Sequence, residues 1–151
     1  MVSDLIHVVY HGIIITRILK HLEDRKHMPK LTVAGKTAEW SADKRLVNAI
    51  EDMGVNIGHR CGGQARCTTC RVTFVSGEPD TMTAAEYQKL SERGLLGQYR
   101  LSCQILCTHD MEVEPEMTLE NQENWSDTGP RPADTVEPAA EWFPKLTFEA
   151  S

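Results

Sequence analysis

Three of the chain's five cysteines fall within ten residues, in the stretch His59-Arg60-Cys61-Gly62-Gly63-Gln64-Ala65-Arg66-Cys67-Thr68-Thr69-Cys70. Their spacing is C-x5-C-x2-C, and a fourth candidate, Cys103, follows in Arg100-Leu101-Ser102-Cys103-Gln104. Thiolates are soft donors and match iron bridged by sulfide. Three close thiols and one remote thiol can grip a compact cluster from a loop and lock it to the rest of the chain. Such a cluster is negatively charged, so its sulfurs need N–H donors and the loop must turn its amides inward. Gly62-Gly63 suits that turn, because glycine reaches positive φ without penalty and lets the backbone come close. Thr68 and Thr69 are small and add hydroxyl donors. No Asp or Glu lies between Asp52 and Glu78, while Arg60, Arg66 and Arg71 surround the loop. These cations either offset the cluster's charge or form a solvated surface. The chemistry implied is a [2Fe–2S] centre that carries single electrons.

Other metal and thiol chemistries fit less of the pattern. A structural zinc site uses two short cysteine knuckles. Cys67/Cys70 is one, and Cys103/Cys107 is a C-x3-C, but that set leaves Cys61 and its glycines without a role. A thioredoxin-like reading of Cys67-Thr68-Thr69-Cys70 requires a helix to open at the motif, whereas β-branched residues follow it. Counting residues alone also admits Cys107 in place of Cys103 as the fourth thiol.

The elements that must hold the loop can be read on both sides of it. Leu31-Thr32-Val33 and Thr37 to Trp40 form a hairpin about Ala34-Gly35-Lys36. A helix over about 43–53, capped by Ser41 or Asp43 and stopped at Gly54, presents Leu46, Val47, Ile50 and Met53 on one face. Cys70 to Val75 reads as a strand, with Val72 and Phe74 on the same side. Thr83-Ala84-Ala85-Glu86 is a capping box, with Met82 and Tyr87 as its hydrophobic staple, and the helix runs past Leu90 to Gly94. Tyr99 to Leu106 is expected as a strand that carries Cys103. Met111-Glu112-Val113-Glu114 alternates as an exposed-face strand and ends at Pro115.

The length of 151 residues suits one domain with spare chain at both ends. Three segments are expected: an N-terminal extension (1–29), a cluster domain (30–119) and an acidic, proline-rich tail (120–151) that is disordered. Residues 121–151 carry two basic and six acidic groups, and 120–151 hold four of the seven prolines. Such a composition buries too little to fold by itself. Trp142-Phe143-Pro144-Lys145-Leu146 is an apolar island within it. Both extensions are expected to be dispensable for the cluster. Leu5 to Leu19 is apolar but too short to span a membrane. It packs on the domain, frays, or lies on a membrane surface through the cations that follow it; alternatively Met28 is the natural start. His7/His11 (i, i+4) is the one His pair there at helical ligand spacing, and metal ligation by it is not expected. The formal net charge of −6 argues against a nucleic-acid partner. An odd, clustered set of cysteines is unlike a disulfide scaffold, and there is no secretory signal, so a reducing, cytoplasmic setting is expected.

Cys61-Gly62-Gly63-x-x-x-Cys67-x-x-Cys70, a Val/Phe strand and Arg100-Leu101-Ser102-Cys103-Gln104 together resemble the plant-type and adrenodoxin-type [2Fe–2S] ferredoxins over residues 30–118. The five residues between Cys61 and Cys67 match the adrenodoxin-like members. The resemblance implies an α+β, β-grasp fold: a mixed sheet packed by a helix, the cluster loop at one edge, and poorly structured N- and C-terminal extensions. It implies that Cys61 and Cys67 hold the outer iron and Cys70 and Cys103 the inner one, the outer iron taking the electron. Cys107 is then a buried free thiol. The implied function is a one-electron carrier between a ferredoxin reductase and an acceptor enzyme, both transient partners. A regulatory or assembly module using the same cluster is the alternative. There is no G-x-G-x-x-G for flavin or nicotinamide, so the chain is expected to be an electron-transfer protein and not an enzyme.

Overall fold

The computed structural model describes residues 28–149, together with Leu19. The expectations for the apolar stretch before Leu19, for His7/His11 and for an N-terminal membrane anchor lie outside the described residues. No helix among the described residues is long and apolar enough to cross a membrane.

Strand β1 (Lys30–Val33) turns through Ala34 and Gly35 into antiparallel β2 (Lys36–Glu39), as the hairpin pattern predicts. Leu31 and Val33 point into the core from β1. The chain returns to β1 with β6 (Met111–Pro115), which lies parallel to it with Leu31 opposite Met111 and Val33 opposite Val113. Strand β3 (Arg71–Ser76) pairs antiparallel with β6 on the other side, and β5 (Arg100–Leu101) pairs with β3. The sheet order β2-β1-β6-β3-β5, mixed and crossed by a helix, is the β-grasp arrangement. Helix α1 (Leu46–Asp52) lays Leu46, Val47, Ala49 and Ile50 against the sheet, where they join Leu31, Val33, Val72, Leu101 and Val113 in one core.

Two expected boundaries differ. Helix α1 begins at Leu46, and its N-cap is Arg45, which provides no side-chain cap. Ser41 Oγ instead donates to Asp43 Oδ1 at 2.6 Å, so the expected capping residues close a turn ahead of the helix. The expected strand from Tyr99 to Leu106 is only two residues long. At Ser102–Gln104 it tightens into a 3-10 turn, because Ser102 Oγ donates to the Cys70 carbonyl at 2.6 Å and draws the chain toward the cysteine loop. Strand periodicity continues through these residues in the sequence, and a tertiary hydrogen bond overrides it.

Between β3 and β5, β4 (Thr81–Thr83) leads into helix α2 (Ala84–Glu92). Half of the expected capping box forms: Thr83 Oγ1 accepts from the Glu86 amide at 3.1 Å. The Glu86 carboxylate turns inward. Arg100 donates to it from Nε at 2.9 Å and from Nη2 at 3.1 Å, and the Leu101 amide donates at 2.7 Å. Both side chains are buried, and Arg100 also donates to the carbonyls of Pro79 and Thr81. The pair therefore ties α2 to β5, two residues before Cys103. Removing one partner leaves the other charge buried and uncompensated, at a cost of about 3–5 kcal/mol. Glu86→Met is expected to lower the thermal midpoint sharply, and adding Arg100→Met is expected to recover much of the loss. A double variant no more stable than Glu86→Met would show that the pair is not the source.

After β6 the structure describes the chain as far as residue 149. Residues 122–141 have little regular structure, yet they run as a strap across the cysteine loop, and Val136 is buried at 5 % exposure. The apolar island becomes β7 (Trp142–Pro144), which pairs antiparallel with β4, followed by the short helix α3 (Lys145–Glu149). Composition reasoning counts aliphatic residues. The strap is held instead by buried polar side chains of the domain, which that count does not see.

Candidate metal centre

The cysteine loop turns back on itself through four residues at positive φ: Gly62, Gly63, Ala65 and Thr68. A β-carbon at Gly63 would stand 2.7 Å from both Arg45 Nη2 and Pro132 Cβ, so both backbone conformation and space demand glycine there. The fold aims the amides of Gln64 and Arg66 at Cys61 Sγ, at 3.3 and 3.5 Å. Thr69 Oγ1 accepts from the Arg60 amide at 3.0 Å, which leaves its hydroxyl hydrogen for Cys67 Sγ, 3.1 Å away. The expectation of inward amides and a threonine donor is met by named atoms.

The structure brings Cys61, Cys67, Cys70 and Cys103 together as two pairs. The Cys67 thiol donates to Cys61 and, with the amides of Arg66, Gln64 and Cys67, pulls Cys61 down to about 4 against the effect of burial. The same bond and burial push Cys67 up, with Thr69 pulling back. In the second pair the bond to Cys103 and burial push Cys70 up. Cys103 is pulled down by Cys70 first, then by Gln104 and the charge of Arg45, against burial. Cys61 and Cys67 are half-buried, whereas Cys70 and Cys103 are buried.

Among the described residues no His, Cys, Asp or Glu group converges on a point suited to a single metal ion. Two soft-donor pairs, one nearer the surface, fit a two-iron core with a pair for each iron. Cys107 is also buried, but its thiol joins neither pair. Burial pushes it up to about 12, only partly opposed by the charge of Lys44.

Of the expected basic flank, Arg60 stacks over Trp125 at 5.0 Å and pairs with Asp127, and Arg71 stacks over Tyr99 at 5.3 Å. The cation that enters the site is Arg45, which residue patterning does not single out. It is fully buried and donates to the carbonyls of Cys103, Gly63, Ala133 and Thr135. One signal in the sequence points to it: a cation at the head of a helix opposes the macrodipole, and the first turn of α1 has no acidic residue.

The strap covers the same loop. The His59 amide donates to the Thr128 carbonyl at 2.8 Å, and a β-carbon at Gly58 would meet the Trp125 ring at 2.6 Å. Asn48 Nδ2 donates to the Pro132 and Ala133 carbonyls, and Gln104 Nε2 donates to the Glu137 carbonyl at 2.7 Å. Gln64 Nε2 also reaches the Glu137 carboxylate. Arg131 pairs with Glu51 and Asp52 on α1, and its hydrogen bonds hold the Asp52 carboxyl below the usual range.

Residues 31–108 match the family model described as the 2Fe-2S iron-sulfur cluster binding domain. The chain is 36% identical over 83 residues to one subunit of the Na(+)-translocating NADH-quinone reductase of Chlamydia felis, covering 55% of this chain and 19% of that protein. It is 32% identical over 92 residues to the same subunit of the Shewanella denitrificans enzyme, covering 61% and 22%. The chain therefore spans about a fifth of the length of these curated relatives. Among solved structures, the ISC-like [2Fe-2S] ferredoxin of Pseudomonas putida aligns at 26% identity and a TM-score of 0.49, over 63% of this chain and 99% of that one.

Proposed function

The chain belongs to the family of 2Fe-2S iron-sulfur cluster binding domains, and from that premise we propose that it is a one-electron carrier whose cluster is held by Cys61, Cys67, Cys70 and Cys103. The observation that carries this reading is the convergence of two thiol pairs, three cysteines from one loop and the fourth from the 3-10 turn after β5. When bound, a [2Fe–2S] cluster supplies reversible one-electron transfer, and the protein supplies position and electrostatics. In this reading Cys61 and Cys67 hold the outer iron and Cys70 and Cys103 the inner one. The half-buried pair faces the partner and the buried pair anchors the cluster to the core. The amides on Cys61 and the hydroxyl on Cys67 stabilise thiolate charge at the exposed end.

The electron comes from a reductase and leaves to an acceptor enzyme. The match to one fifth of a quinone reductase subunit supports a place inside a longer redox chain. Docking in such chains is small in area and salt-sensitive. Anaerobic purification is expected to give a coloured protein with equal iron and acid-labile sulfide, bleached by dithionite and restored by oxidant, with a negative midpoint potential. A colourless protein holding one zinc would overturn the proposal.

A further inference from the structure

We infer that Arg45 is the buried counter-cation of the cluster, and that its charge raises the reduction potential. The inference rests on the four-cysteine site proposed above. All five guanidinium N–H groups of Arg45 are used. Nε donates to the Cys103 carbonyl at 2.9 Å, and Nη2 donates to the carbonyls of Cys103 at 2.6 Å and Gly63 at 2.7 Å. Nη1 donates to the carbonyls of Ala133 at 2.8 Å and Thr135 at 3.1 Å. These bonds satisfy every donor and supply no net charge.

None of the ion pairs among the described residues includes Arg45, although its side chain is fully buried. The other buried cation, Arg100, has the Glu86 carboxylate. A charge removed from water without an opposite charge is strongly unfavourable. The compensating anion must therefore be near the fork, and the fork's own bonds locate it. Nη2 bridges the backbone of Cys103 to that of Gly63 in the loop, so the cation stands where the two arms of the thiol site meet. Lys44, one residue earlier, pairs with Asp52 at 2.6 Å at the surface, so a cation in this segment finds a carboxylate where one is within reach.

Reduction adds one electron, drawn from a partner or from dithionite, and one negative charge with no proton. A fixed cation beside that charge favours the reduced state. A neutral residue at position 45 removes this preference and lowers the midpoint potential. Lysine keeps the charge but loses the fork.

The test is a spectroelectrochemical titration of the full chain with its cluster, comparing wild type, Arg45→Met and Arg45→Lys. At the wild-type midpoint, Arg45→Met is expected to hold a reduced-to-oxidised ratio about tenfold lower, 59 mV for a one-electron couple. Arg45→Lys is expected to stay much closer to wild type. An unchanged midpoint in Arg45→Met would overturn the inference. So would equal falls in the two variants, since the lost fork and not the charge would then be responsible. If Arg45→Met keeps no iron, retention of iron and sulfide by Arg45→Lys supports the charge requirement, and its loss there overturns it. A cluster that survives in Cys103→Ala would instead count against the ligand assignment, independently of the Arg45 result.

Discussion

Cys103→Ala is expected to lose the cluster's visible spectrum completely, whereas Cys107→Ala keeps it at a stability cost of about 1 kcal/mol, typical of a small core change. Both cysteines are buried and four residues apart, so position in the sequence does not separate them. Their surroundings do. Cys103 sits in a tight turn whose carbonyl is gripped by Arg45, whose sulfur meets the Cys70 thiol, and which Gln104 Nε2 approaches at 3.6 Å. Each of these contacts favours a thiolate aimed at the loop. The Cys107 amide donates to the Lys44 carbonyl at 2.8 Å, and burial holds its thiol protonated up to about 12. At neutral pH it offers a small apolar group and no ligand charge. Iron and sulfide analysis of the two variants checks the result, and a cluster kept by Cys103→Ala but lost by Cys107→Ala would reverse the assignment.

Removing residues 120–149 is expected to shorten the life of the cluster in air and to lower the thermal midpoint of the protein. Composition alone leads to the opposite expectation. Truncation takes away two of the carbonyls that Arg45 uses, both acceptors of Asn48 Nδ2, and the burial of Val136. A hydrogen bond to a charged group contributes about 1.5–3 kcal/mol. Water entering the vacated face offsets part of that, so a net loss of about 3–5 kcal/mol is expected, a large share of a domain's usual 5–15 kcal/mol. Thermal denaturation and the decay of visible absorbance measure the two effects. A truncated chain with unchanged melting and unchanged decay would show that the strap is not part of the core.

Legibility in the sequence followed the range of the interaction involved. The β1–β2 hairpin, the apolar face of α1, the Thr83 cap and the cysteine loop are local patterns, and each forms where its residues predict. The elements that differ answer to distant partners. The strand through Cys103 is bent by the Cys70 carbonyl, 32 residues earlier than Ser102. Glu86 leaves its box for Arg100, 14 residues on. The strap is fixed by Arg45, Asn48 and Gln104, polar residues that any hydropathy pattern assigns to the surface but that are buried here. In the site itself, residue types and spacing marked Cys61, Cys67 and Cys70 but left Cys103 and Cys107 both open as the fourth thiol. The cation between them was barely legible: apart from its place at the head of α1, a lone arginine ahead of an apolar stripe looks like solvated charge until its four acceptor carbonyls are seen together.

The span of the Arg45 fork also fixes an order of events. Two of its acceptors lie 88 and 90 residues beyond it, and contacts at such separation close late in folding. During synthesis the chain through Cys103 exists well before Ala133 and Thr135 do, and domains form as the chain emerges. All four thiols are therefore available while the ground the strap will occupy is still uncovered. The strap, which follows the four cysteines in the sequence, closes over the loop that holds three of them, so its docking completes the cover of a loop already formed.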